Sequence, residues 1–197
     1  MLNLGNTLAN ICDNLKRQLS KLVCSFIMAV NMSLRGIVYG RGISFYGLAK
    51  FKRANGGKII MGSYCTLNSS STSNLIGVNH CCIFSALMPD SRLVIGNGCG
   101  FSGTVIGCFS RITLGNNVRC GANTLITDSD WHLDDARSSD PKPVIIEDNV
   151  WLGINVTVLK GVHIGANSVI GANSLVVKDI PANVIAAGNP CRVLRQL

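Results

Sequence analysis

Charge is scarce in this sequence. Asp and Glu number 10 in 197 residues, charged side chains of both signs make up 14%, and aromatic ones 6%. Proline is held to 5 positions. No apolar run approaches the ~20 residues that a membrane span requires; the stretch Leu22 to Val30 is too short. Nine cysteines are present, but their number is odd, no secretory signal precedes them, and Cys81-Cys82 lacks metal-ligand spacing. A disulfide framework and a metal site are therefore set aside, and reduced thiols acting as small hydrophobes in the cytoplasm are expected.

What the chain does have is 21 glycines and a hydrophobic fraction of 47%, with small and β-branched residues prominent. That composition favours tight-cornered β structure over a helical bundle, and the length suits one domain with a small appendage. Net charge is +8. The basic residues are dispersed and no aromatic-interleaved motif accompanies them, which argues against nucleic acid and for a small polyanion.

Residues 1–35 differ from the rest. Leu4, Leu8, Ile11, Leu15, Leu19, Leu22 and Phe26 recur at spacings of three and four, one face of an α-helix, while Asn3, Asp13, Lys16, Arg17 and Lys21 occupy other faces. The expectation is an amphipathic helical segment packed against the main domain or a sister subunit. A weak contact with a membrane surface is the alternative.

From about residue 36 a period of six takes over. Ile146, Leu152, Val158, Ile164, Ile170 and Val176 fall on every sixth position, and four residues after each comes Val150, Val156, Val162, Ser168, Ser174 or Ile180. Leu114, Cys120 and Ile126 obey the same rule, and Ile95 with Cys99 and Met61 with Cys65 extend it upstream. Each hexad reads as a short strand plus a turn. Three of them close a triangular coil whose aliphatic position points inward, and coils stack at roughly 4.8 Å to bury a continuous column. Gly and Asn after the aliphatic residue suit the turns. The predicted fold is mainly β, a parallel β-helix over 36–187, with a tail at 188–197.

The period breaks twice. From Ile126 to Ile146 is twenty residues, two more than one full coil, and residues 127–143 between them are polar with two prolines. This is a loop that leaves the coil and returns. A slip of one residue lies near Gly107, and 68–90 is irregular.

The hexads followed by Val176-Val-Lys-Asp-Ile-Pro-Ala-Asn-Val-Ile-Ala-Ala-Gly-Asn-Pro-Cys-Arg-Val-Leu-Arg resemble the end of the galactoside and maltose O-acetyltransferases, members of the hexapeptide-repeat acyltransferase superfamily. The resemblance is tight over 144–195 and looser upstream. It implies a left-handed helix, a homotrimer, and acetyl-CoA in the groove between neighbouring prisms, with no metal.

The family's base is a histidine on a loop after a repeat, the place of His132 in Ser129-Asp-Trp-His. Imidazole, titrating at about 6.5, suits removal of a hydroxyl proton near neutral pH. Asp130 and Asp128 are candidates to hold its other nitrogen or to meet acceptor hydroxyls, a backbone carbonyl being an equal choice for the first role. Ser102 is a further acceptor-binding candidate. On the cofactor side the resemblance assigns Trp151, Ile154, whose backbone N–H would receive the oxyanion, and Ala172 at the pantetheine arm. It also assigns Val177 and Lys178, with Arg192 and Arg195 at the nucleotide phosphates. His80 and His163 are expected to be structural or solvent-facing.

The resulting reading is direct acetyl transfer from acetyl-CoA to a hydroxyl of a sugar or polysaccharide precursor. N-acetylation of an amino sugar or antibiotic, and a non-catalytic scaffold subunit, are the alternatives. The zinc carbonic anhydrases share the fold, but the spacing of the three histidines does not fit their metal site.

Overall fold

The computed structural model describes residues 4–197, with side chains from residue 8 onward; Asn3 and the Leu4 side chain of the predicted helix lie outside the described residues. After a helix, α1, over Leu4–Leu34, the chain winds as a left-handed parallel β-helix with three faces. The first face stacks six strands, from Val38–Tyr39 to His163–Ile164; the second, eight, from Ser44–Tyr46 to Arg192–Gln196; the third, six, from Lys50–Arg53 to Leu175–Val176. Every pairing is parallel except the last, where Arg192–Gln196 folds back antiparallel on Val184–Ala187.

The six-residue period dictates this register. Ile146 pairs with Ile164 on the first face, Leu152 with Ile170 on the second, and Val158 with Val176 on the third. All six side chains are fully buried, and so are Val150, Val156, Val162, Ser168 and Ser174 in the small slots. A Leu152→Ala truncation in such a column costs about 2–5 kcal/mol. Upstream, where coils are less regular, Phe51, Phe84 and Phe101 fill the prism, with adjacent ring centroids at 5.4 and 5.1 Å.

The corners explain the asparagines. Asn117, Asn149, Asn167 and Asn183 all adopt left-handed backbone, with φ between 55° and 62°. Their side chains form a ladder along one edge, each amide donating to the next Oδ1 at 3.2, 3.1 and 2.9 Å. Asn tolerates that φ and satisfies its own polar group in the stack.

The long interruption is larger than the residue count suggests. Ile126 lies on the third face and Ile146 on the first, and the regular step between those faces is six residues, as from Val158 to Ile164. The twenty-residue gap is thus a substantial excursion from one edge, not a coil with two extra residues. A Cβ on Gly107 would come within 2.3 Å of the Trp131 ring, so the third face is bare where the loop lies across it. The irregular 68–90 segment resolves into a loop at 69–82 between the second and third faces, followed by the strand Ile83–Ala86.

For α1 the face that meets the main domain lies beside the stripe picked out in the sequence. Met28 and Met32 are buried against the first coil, and Ser25 Oγ accepts from Phe45 N at 3.0 Å. The stripe Leu8, Leu15, Leu19, Leu22 and Phe26 stays 59–73% exposed in the single chain. The reason is register: Cys24, Met28 and Met32, four apart, form the adjacent stripe, and that one meets the end of the prism. Among the described residues no helix is long and apolar enough to cross a membrane.

Candidate active site

The loop at 128–143 is pinned at its root by a carboxylate. Asp128, fully buried, accepts from Phe109 N at 2.7 Å and Ser110 N at 2.8 Å, two amides of the preceding coil. Its own carbonyl accepts from Lys142 N at 2.9 Å, closing the two ends of the loop on one another. Both carboxylate oxygens are thereby engaged in holding backbone, so Asp128 is neither free to meet an acceptor hydroxyl nor turned to His132.

Trp131 fixes the outward limb. Its backbone is left-handed at φ 71°, a conformation that costs a bulky residue and persists only where surroundings enforce it. The enforcement is visible: the indole Nε1 donates to Thr127 Oγ1 at 3.0 Å, and the ring meets Phe109 edge-on at 5.2 Å over the bare Gly107. His132 is the next residue, exposed, with its carbonyl accepting from Asp135 N at 3.2 Å. Among the described residues none hydrogen-bonds its imidazole.

The return limb is held by Lys160. Its side chain is only 16% exposed, and the ammonium donates to the Asp130 carboxylate, to Ser139 O at 2.9 Å and to Ser139 Oγ at 2.7 Å. Ser139 N also donates to Asp130, at 3.1 Å. Lys160 first, and Ser139 second, hold the Asp130 carboxyl below its usual range. Asp130 is thus the far half of a loop clasp, and no hydrogen bond joins it to His132. Sequence reasoning missed Lys160, Ser139 and the Trp131–Gly107 contact. The only signal for any of them was the slip at Gly107.

The remaining sequence-predicted residues lie on other parts of the prism. Val177 and Lys178 follow the strand Leu175–Val176, on the same third-to-first edge as the His132 loop. Ser102, buried, and Ile154 and Ala172 sit at the second-to-third edge, where Gly153 and Ala172 stack in adjacent coils. Ser102 Oγ is taken by the amides of Asn68 and Asn74, at 3.2 and 3.1 Å. Trp151 projects from the second face at 54% exposure. Arg192 and Arg195 lie exposed on the antiparallel strand that ends that face, where each guanidinium meets only a carbonyl, Cys191 O or Gln196 O. Within one prism the His132 loop shares an edge with Val177 and Lys178, with one intervening strand between the strands they follow. That prism does not bring the imidazole to Ile154, Ala172 or the arginines. His80 and His163 are exposed; His163 Nε2 pairs with Glu147 Oε1 at 2.8 Å. Among the described residues no cluster of His, Cys, Asp and Glu could hold a metal ion.

Residues 143–178 match the family described as bacterial transferase hexapeptide (six repeats). The Lactococcus lactis galactoside O-acetyltransferase is 52% identical over 91 residues, 44% of each chain. A galactoside acetyltransferase solved in complex with coenzyme A is 29% identical, over 81% of this chain and 64% of that one, at a TM-score of 0.50. An N-acyltransferase from Bacillus cereus, solved with dTDP-4-amino-4,6-dideoxyglucose and coenzyme A, shares the fold at a TM-score of 0.57 and 16% identity, covering 85% and 88%. The chain spans less than half the length of the curated relatives it matches. The repeat over residues 143–178 is similar to that of the bacterial hexapeptide transferases, and the fold to that of the galactoside acetyltransferase.

Proposed function

We propose that this chain is an acetyl-CoA-dependent O-acetyltransferase whose acceptor is a hydroxyl of a sugar or polysaccharide precursor. The observation that carries the reading is the His132 loop. Three independent anchors, at Asp128, Trp131 and Lys160, hold one exposed imidazole against the flank of a hexapeptide-repeat prism. Likeness to the galactoside acetyltransferase solved with coenzyme A supports the donor and the acceptor class.

In this mechanism the neutral imidazole takes the proton of the attacking hydroxyl as its oxygen adds to the thioester carbonyl. The backbone N–H of Ile154 offers a donor to the oxyanion, a role its side chain does not impede. Collapse of the tetrahedral species expels the thiolate, which recovers the proton from the imidazolium. Transfer is direct in this reading, since among the described residues no Cys or Ser hydrogen-bonds the His132 imidazole to act as its nucleophile. His132 and Ile154 lie at different edges of one prism, so the reading requires a second copy, and a homotrimer supplies it. Trp151, Ala172, Val177, Lys178, Arg192 and Arg195 would then line the groove for the donor.

Two measurements test this. Acetyl-CoA should raise the melting temperature, and a panel of saccharides should contain acceptors that release free CoA. A melting temperature indifferent to millimolar acetyl-CoA would sink the proposal and leave a scaffold subunit.

A further inference from the structure

A cleft of about 990 Å³ opens between α1 and the 69–82 loop, away from the third-to-first edge that carries His132. Its lining mixes polar and apolar surface: Asp13, Lys16 and Arg17 from the helix, Tyr46 on the floor, and Ser70, Ser73 and Asn74 from the loop. The far wall is built rather than loose. Asn68 and Asn74 both donate to the buried Ser102 Oγ, and Ser73 Oγ donates to Ser70 O at 2.6 Å.

The near wall carries two cations, Lys16 and Arg17, against one carboxylate, Asp13. The Arg17 guanidinium lies 4.9 Å above the Tyr46 ring, and among the described residues no carboxylate pairs with it. Lys16 approaches Asp13 only at 4.0 Å, with both side chains more than three-quarters exposed, a pair that solvent screens to little effect. Stacking on an aromatic face holds a guanidinium's plane while leaving its N–H fork free, and that fork matches phosphate and carboxylate oxygens bidentately. Hydroxyls and amides opposite offer the mixed donors and acceptors that vicinal hydroxyls need. The volume exceeds that of a lone anion.

We infer that this cleft binds a saccharide bearing an anionic group, phosphate or carboxylate, with Arg17 taking the charge and the 69–82 loop taking the hydroxyls. The inference rests on the acetyl-transfer reading only for the ligand's role as acceptor, which requires the imidazole of a second copy, since this chain's own lies at another edge.

Calorimetric titration of the full chain without acetyl-CoA tests it, using glucose 1-phosphate, glucuronate, glucose and inorganic phosphate as separate probes. At least one charged sugar should bind about tenfold or more tighter than both glucose and inorganic phosphate, and the tighter of the two identifies the anionic group. Arg17→Ala should weaken that binding about tenfold, and Arg17→Lys less, since the charge stays while the fork is lost. Arg17 is exposed on a helix, so both variants should fold. Equal affinity for glucose, equal affinity for inorganic phosphate, no binding of either charged sugar, or indifference to Arg17→Ala each overturns the inference. A charged sugar that binds through Arg17 yet is never acetylated leaves the cleft standing and counts against the transfer reading. Acetylation of neutral sugars, unchanged by Arg17→Ala, does the reverse.

Discussion

Lys160 donates to the Ser139 hydroxyl at 2.7 Å while bonded to the Asp130 carboxylate, so a single ammonium joins the two limbs of the His132 loop. Removing it should loosen the imidazole without touching the donor groove. Lys160→Met is expected to lower kcat by roughly 10- to 100-fold, the scale of a misplaced catalytic group, with the acetyl-CoA KM kept. Lys160→Arg should recover part of the loss. A variant whose KM rises while kcat stands would show that Lys160 serves the cofactor instead.

His132→Ala should reduce turnover by about 10²- to 10⁴-fold, the usual worth of a general base. Acetyl-CoA binding, followed calorimetrically, should change little, because the loop's anchors do not involve the imidazole. Activity within threefold of the unaltered enzyme would refute the assignment.

Arg192 and Arg195 are exposed and bonded only to carbonyls near them, so both can turn to a phosphate. Their joint replacement by Ala should weaken acetyl-CoA binding by about 2–4 kcal/mol, as for ordinary charged hydrogen bonds, and spare kcat. Analogues lacking the 3′-phosphate should feel it less. An unchanged KM would place the nucleotide elsewhere.

Burial, and then the Asp128 carboxylate beside it, push the Cys108 thiol up to about 12. A raised pKa means stability that is complete below the unfolded value and lost as pH rises through the folded one. The urea midpoint should therefore fall as pH climbs from about 9 toward 12. Replacing Cys108 by Ala should flatten that fall. A midpoint that is constant across this window, or identical in the variant, would contradict the environment assigned to the thiol.

The prism was legible because a period of six is a local property. Each hexad states its inward residue, its slot residue and its turn, and stacking identical units leaves little for distant contacts to choose. Which stripe of α1 meets the main domain was not legible, for the opposite reason. Two adjacent stripes of one helix are both apolar there, and only the shape of the first coil selects Met28 and Met32 over Leu22 and Phe26. The aspartates show the same limit. Asp128 and Asp130 flank Ser129 near His132 in sequence, yet one turns inward to two amides and the other across the loop to Lys160.

By itself the sequence determined the β-helix, its inward column, the turn asparagines and the existence of a loop bearing His132, because each rests on neighbours within a few residues. Tertiary structure decided what holds that loop, which edge it occupies, and that Arg17 stands free above Tyr46. Those outcomes join residues up to thirty positions apart, and local pattern carries no information about which polar groups meet when coils stack.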